Sequence, residues 1–230
     1  MRTLKLALCA TVLSLFVASA ARAAEPNDSF ATATGPLTAG QTFKASLETI
    51  TDADFQFFYI PDPTTITVTT INDAKSGGNV VNRGRTIVSS ILRGRKGKLP
   101  LPLAGTAETL KPGQKGKAKV TLLPGKYFIP IGRAESNAAP QPNVPFRIQI
   151  TPAGTTTDSF EIFDARCQAA HRKLDRIKAS IKRTEKRIKQ AQHNDASSGK
   201  IVKLKLKLRD KRAKAKPAKK AEKFACSIPR

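Results

Sequence analysis

The chain reads as a mainly β protein, an antiparallel β-sandwich followed by a coiled-coil-like α-helical hairpin. Three observations carry that reading. Short runs rich in β-branched and aromatic residues, separated by Pro and Gly turns, fill the chain as far as residue 151. Beyond it the apolar period changes from two to alternating steps of three and four. Positive charge concentrates in the same place. Residues 158–230 hold 23 Lys and Arg against 8 Asp and Glu, a net of +15, whereas residues 25–157 hold 15 against 9, a net of +6.

Taken in order, residues 1–24 have the form of a secretory signal. Arg2 and Lys5 precede the apolar run "LALCATVLSLFVASA", and "ARA" supplies the small residues of a cleavage site. That run falls short of the roughly 20 residues that span a bilayer. The expectation is export, to a secreted or periplasmic location, with no transmembrane segment once the signal is cleaved. Cys9 would leave with the signal. Cys167 and Cys226 remain, and two cysteines in an oxidising compartment point to a disulfide.

Seven segments then have strand character: "QTFKASLET", "DFQFFYI", "TTITVTTI", "TIVSSIL", "KAKVTLL", "KYFIPI" and "VPFRIQI". In the third, Ile66 and Val68 alternate with Thr65, Thr67 and Thr69, the pattern of a half-buried strand. Turn signals separate them: "PDP" at 61–63, "SGGN" at 76–79, "KPGQ" at 111–114 and "LPGK" at 123–126. Seven or eight short strands in about 130 residues suit two packed sheets. Phe43, Phe55, Phe57, Phe58, Phe128 and Phe146 are the expected core fillers, although period 2 sends Phe57 and Phe58 to opposite faces.

Residues 152–157, part of "TPAGTTTD", read as a linker. The segment 158–230 follows with a helical period. Cys167, Ala170, Leu174, Ile177, Ile181, Thr184, Ile188 and Ala191 form one apolar seam, and "HNDASSGK" breaks it. Ile201, Leu204, Leu208, Ala215, Ala218 and Ala225 form a second seam, interrupted by Lys211 and Glu222. "KLKLKL" also alternates like a strand. Helix is the better reading, because Leu, Lys and Arg favour helices and the first helix needs a partner for its stripe. Pro217 is expected to kink the second helix or end it early. Two helices joined by a short polar turn run antiparallel, which sets Cys167 opposite Cys226.

The opening "EPNDSFATAT", then "DADFQFFYI", "TTITVTT", "LLPGKYFIPI" and "FRIQI", resembles in order the bacterial pre-peptidase C-terminal domain. The resemblance covers Glu25 to about Thr151, defining the sandwich as residues 25–151, and implies a jelly-roll-like arrangement of its strands. In calcium-binding members of that family, such as the collagen-binding modules of clostridial collagenases, the acidic opening and the D-x-D region ligate the ion. The matching positions here are Glu25, Asn27, Asp28, Asp52 and Asp54. Hard oxygen donors of this kind suit Ca²⁺, which takes six to eight of them. The middle of the domain departs from the family, since "NRGRTIVSSILRGRKGK" is basic where relatives carry acids. The same residues also permit a plainer role, with Asn27 and Asp28 capping a turn and Asp52 fixing the bend before "DFQFFYI".

Catalytic templates are missing. The chain has no G-x-S-x-G and no H-E-x-x-H, and "SSGK" lacks the first Gly and the final Ser or Thr of a phosphate loop. His171 and His193 are the only imidazoles, and both lie in the basic segment. A metal site of His171 with Cys167 and Cys226 lacks a fourth ligand, and a disulfide accounts for both thiols. The reading is therefore a non-enzymatic binding or attachment protein. Lys178, Lys182, Lys186, Lys203, Lys205 and Lys207 are candidate contacts for envelope or extracellular polyanions. Arg83, Arg85, Arg93 and Arg95, in turns at both ends of one strand, are candidates to add to them. Phe224 is the only aromatic after Phe163, so sequence-specific nucleic-acid reading is not expected. Docking on another exported protein stays open, including an accessory or targeting role for a separately encoded secreted peptidase or other hydrolase.

Overall fold

The computed structural model describes residues 28–49, 52–75, 85–134, 143–194 and 196–229. The signal segment, Glu25, Asn27, Arg83 and the turn at 76–79 lie outside the described residues. The chain divides into two compact units, one running through Phe160 and the other spanning Glu161–Ile228.

Among the described residues the first unit contains ten strands: β1 (Thr42–Leu47), β2 (Ala53–Ile60), β3 (Thr64–Asn72), β4 (Ile87–Ser89), β5 (Leu92–Arg95), β6 (Lys98–Pro102), β7 (Glu108–Leu110), β8 (Lys115–Leu122), β9 (Gly125–Arg133) and β10 (Val144–Thr151). One sheet has the order β1-β10-β3-β8. The other is built around β9, which pairs with β2 along one edge and with β4 and β5 along the other; β7 and β6 lie outside β4 and β5. All these strand pairings are antiparallel. Paired on both edges, β9 is buried along its whole length. In β10, by contrast, Val144, Phe146, Ile148 and Ile150 turn inward and the residues between them do not, as period 2 requires. The inward residues of both sheets form one core that includes Phe58, Ile66, Val68, Ile129, Ile131 and Phe146.

Several expectations change. "TIVSSIL" is two strands, because the backbone of Ile91 leaves the ladder: its N–H donates to Thr106 Oγ1 at 3.0 Å, and its carbonyl accepts from Leu103 N–H at 2.9 Å. Arg93 and Arg95 consequently lie within β5 and not in a terminal turn. The short β6 and β7 carry weak sequence signals. Pro100 and Pro102 in β6 are tolerated because it pairs only with β5, an edge position. Phe58 and Phe146 join the core and Phe43 packs against it, but Phe55, Phe57 and Phe128 meet on the other face of their sheet. There Phe30 stands edge-on to Phe55 at 4.5 Å and to Phe128 at 5.3 Å.

The second unit is a helical hairpin, α1 (Glu161–His193) with α2 (Ser198–Ala225). Leu174, Thr184, Ile188 and Ala191 of α1 are buried, as the seam predicts. Cys167 and Cys226 are bonded, with Cα atoms 4.8 Å apart. Pro217 does not end α2, which continues through it to Ala225. Pro217 and Ala213 are both exposed, so the carbonyl that loses its donor faces water. The two interruptions of the α2 seam are met by polar groups on α1. Lys211 Nζ donates to Thr184 Oγ1 at 2.7 Å, and Glu222 Oε1 lies 2.6 Å from His171 Nδ1.

Candidate functional site

The acid cluster is assembled by the course of residues 28–60. Residues 34–37 run along the free edge of β2: Thr34 N–H donates to Phe55 O at 2.8 Å, Phe57 N–H to Thr34 O at 2.9 Å and Leu37 N–H to Phe57 O at 2.8 Å. Gly35 makes the close approach possible, since its φ is +153° and a Cβ there would collide with the Phe57 carbonyl. With the Phe30 ring seated against Phe55 and Phe128, Asp28 is carried back to the start of β2.

On β2 the inward side chains change character along the strand. Phe58 and Ile60 belong to the apolar core, and Asp54 and Gln56 share their face by the two-residue period. Asp52 extends that row beyond the start of the strand. It also closes the β1–β2 connection, its Oδ2 accepting Glu48 N–H at 2.6 Å. That is the bend-fixing role. Carboxylate oxygens of Asp28, Asp52 and Asp54 all lie within 4.8 Å of one another, with Asp52 7% and Asp54 3% exposed. This is the single group of three or more such side chains among the described residues.

Two neighbours complete the picture, and sequence reasoning named neither. Gln56 is fully buried, and neither atom of its amide has a hydrogen-bond partner among the described residues. Arg133 ends β9, and the register that sets Ala53 against Gly132 brings it beside Asp52. Its guanidinium is held below the ordinary arginine value by burial, against the pull of Asp52. Its Nη2 donates to Leu47 O at 3.1 Å. Three carboxylates, two of them buried, meet beside the Arg133 guanidinium, on which Arg85 also acts. The all-oxygen donor set of the cluster fits a divalent hard cation such as Ca²⁺. A Gln at a strand position facing a core is the signal that identifies Gln56 in retrospect; nothing local in the sequence marks Arg133.

The hairpin presents a different chemistry. Lys178, Lys182, Lys186, Lys203, Lys205 and Lys207 are all exposed. Three of its acids are engaged within the hairpin: Asp175 with His171 at 3.2 Å, Glu185 with Arg212 at 2.7 Å and Glu222 with His171 at 2.6 Å. The arginines of the sandwich are less available. Arg85, Arg93 and Arg95 are half-buried; Arg85 Nη1 donates to Lys75 O at 3.2 Å and Arg95 Nε to Leu99 O at 2.9 Å. No helix among the described residues is long and apolar enough to cross a membrane.

No protein-family model and no curated protein matches the chain. Among solved structures it is similar to the pre-peptidase C-terminal domain of collagenase from Bacillus anthracis, 13% identical over 51% of this chain and 99% of that one, with a TM-score of 0.36. Others are the Yersinia pseudotuberculosis-derived mitogen, 10% identical over 54% and 93% with a TM-score of 0.32, and a family 35 carbohydrate-binding module from Clostridium thermocellum, 14% identical over 50% and 91% with a TM-score of 0.29.

Proposed function

We propose that this chain is an exported, non-catalytic attachment protein, in which a calcium-stabilised sandwich carries a cationic helical hairpin that holds polyanionic polymer. The observation that carries the reading is the charge of the hairpin. Residues 158–230 have a net charge of +15, with the exposed lysines far outnumbering the acids that partner them. Such a surface draws sulfated, phosphorylated or carboxylated polymers by long-range attraction, without reading their sequence. The signal-like residues 1–24 and the Cys167–Cys226 bond support export to an oxidising compartment.

Calcium has a structural part in this reading. Asp28, Asp52 and Asp54 would hold the ion, with the Gln56 amide oxygen beside them, and the bound charge would tie the opening segment to the first residues of β2. No chemical step is assigned to it.

Two measurements test the proposal. Heparin retention of the full chain should fall steeply with added salt, and should fall again when Lys178, Lys182, Lys186, Lys203, Lys205 and Lys207 are changed to Gln. Unaltered retention in that variant would remove the hairpin as the binding surface. Calcium, and not magnesium, should raise the unfolding temperature, by an amount equivalent to about 2.7 kcal/mol at a hundredfold excess over Kd. Asp54→Asn should abolish the rise; an equal rise in that variant would overturn the site.

A further inference from the structure

The two helices share a charge but differ in what lies between their lysines. Beyond Ile162 in its first turn, α1 exposes no large apolar side chain. On α2, by contrast, the seam residues Ile201, Leu204, Leu208, Ala215 and Ala218 are half-buried, while Val202 and Leu206 are 53% and 46% exposed. Ala213 and Pro217 are exposed as well. At 3.6 residues per turn Val202, Leu206, Ala213 and Pro217 fall within about 60° of one another and opposite the seam. This second apolar line is bordered mainly by exposed cations, with the exposed Lys220 on the line itself and one exposed acid, Asp210, at its edge. Lys205, Arg209 and Lys216 flank it on one side, and Lys203, Lys207 and Lys214 on the other.

Three kinds of occupant can be weighed against that arrangement. A purely ionic polymer would use the cations and leave Val202 and Leu206 without a purpose. A second copy of the chain would cover the apolar line only by bringing two like-charged borders together. An anionic bilayer answers both features: lysine stems lie along the apolar surface with their ammonium groups at phosphate level, while the apolar line enters the headgroup boundary. The charge complementarity and the exposed Val and Leu therefore select the lipid surface.

We propose that the outer face of α2 docks on an anionic lipid bilayer, phosphate headgroups meeting the lysines and the acyl boundary receiving Val202 and Leu206. The inference rests on the polyanion reading above and narrows it to an amphiphile. With two aliphatic side chains, two small ones and Phe224, 41% exposed at the far end of the same line, the contact is shallow, and its attachment reversible.

The chain contains no Trp, so Leu206→Trp in the full chain provides a single reporter at the site. Its emission should shift to the blue with phosphatidylglycerol vesicles, and should not shift with phosphatidylcholine vesicles or with heparin. A control reporter on the sandwich, Leu123→Trp at a residue 48% exposed, should not shift with any of the three. In parallel, Val202→Gln/Leu206→Gln should reduce partition to phosphatidylglycerol vesicles about tenfold or more. Its heparin retention and its helical circular dichroism should be unchanged, since both side chains face water. Vesicles that sediment the protein without shifting the Leu206→Trp reporter would show a purely ionic contact, overturning the lipid proposal while leaving the polyanion reading intact. An equal shift at Leu123→Trp would also overturn it. Failure to bind either heparin or vesicles would remove both readings together.

Discussion

Lys211 provides a direct test of how the hairpin keeps its helices in register. It stands half-buried in the seam of α2 between Leu208 and Ala215, and donates to Thr184 Oγ1 at 2.7 Å and to Ser180 O at 3.5 Å. Thr184 is 4% exposed, and its own hydroxyl donates to Ser180 O at 2.9 Å, so its lone pairs are free to accept from the ammonium. Thr184→Val keeps the shape and removes the acceptor. The ammonium is left in an apolar seam with one long bond, and a hydrogen bond to a charged group is worth about 1.5–3 kcal/mol. The single change should therefore cost about 2 kcal/mol. Lys211→Leu leaves the Thr184 hydroxyl bonded to its own helix and should shift stability by less than about 1 kcal/mol. In Thr184→Val/Lys211→Leu no polar group has lost its partner, so the double variant should match or exceed the parent. The cycle should give a coupling of about 2 kcal/mol. Urea unfolding of the full chain, followed by helical circular dichroism, measures it; in thermal melts the Thr184→Val loss corresponds to about 8–16 °C. A double variant as unstable as Thr184→Val alone would refute the assignment of that energy to this bond.

Three further outcomes follow from buried groups and from the bridge. Asn72 is fully buried, its Nδ2 donating to Arg85 O at 2.7 Å and Leu110 O at 2.9 Å while its Oδ1 accepts Ala74 N–H at 3.1 Å. Asn72→Ala should cost about 3 kcal/mol or more by leaving those three groups unsatisfied, and a loss below about 1 kcal/mol in urea unfolding would contradict this. Burial pushes the Tyr127 hydroxyl above its ordinary value, with Arg93 opposing. The folded state therefore keeps that proton longer than the unfolded state does. Stability should be full below about pH 10 and fall as pH rises through the raised value. Tyr127→Phe should flatten part of that alkaline loss, and an unchanged slope would exclude Tyr127 as its source; Tyr59, shifted the same way by burial, keeps the remainder. Cys167→Ser opens a loop closed across a sequence separation of 59, and should cost about 4 kcal/mol in the chain-entropy account, read as loss of the helical melt.

What the sequence made legible was periodic. The seam from Cys167 to Ala191, the alternation in "TTITVTTI" and the two cysteines at opposite ends of the hairpin each follow from local spacing, and each has its counterpart in α1, β3 and the disulfide. Features decided by remote partners were not legible. Nothing near Ile91 says that Thr106 will take its N–H and split a strand in two. Phe55 and Phe128 have the character of core residues, yet the ring they meet is Phe30, on the far face of their sheet. Asp28, Asp52 and Asp54 follow from a resemblance; the placing of the Arg133 guanidinium beside Asp52 depends on the β2–β9 register, and no local pattern encodes it.

If the hairpin holds a polyanion as proposed, its ligand and its stability are coupled. Lys178, Lys182 and Lys186 repeat at i,i+4 on α1, spacing at which like charges destabilise a helix, and Lys203 and Lys207 do the same on α2. The Cys167–Cys226 bond and the Lys211–Thr184 contact oppose that repulsion without removing it. A bound polyanion does remove it, so ligand that binds only the folded hairpin should raise its unfolding temperature. Salt then acts in two opposite directions: it screens the repulsion and stabilises the free hairpin, while it weakens attachment. Helical melts of the full chain should therefore rise with salt alone, and the additional rise given by heparin should shrink as salt increases. Melts that fall with salt in the absence of ligand would show that repulsion among these lysines is not what limits the fold.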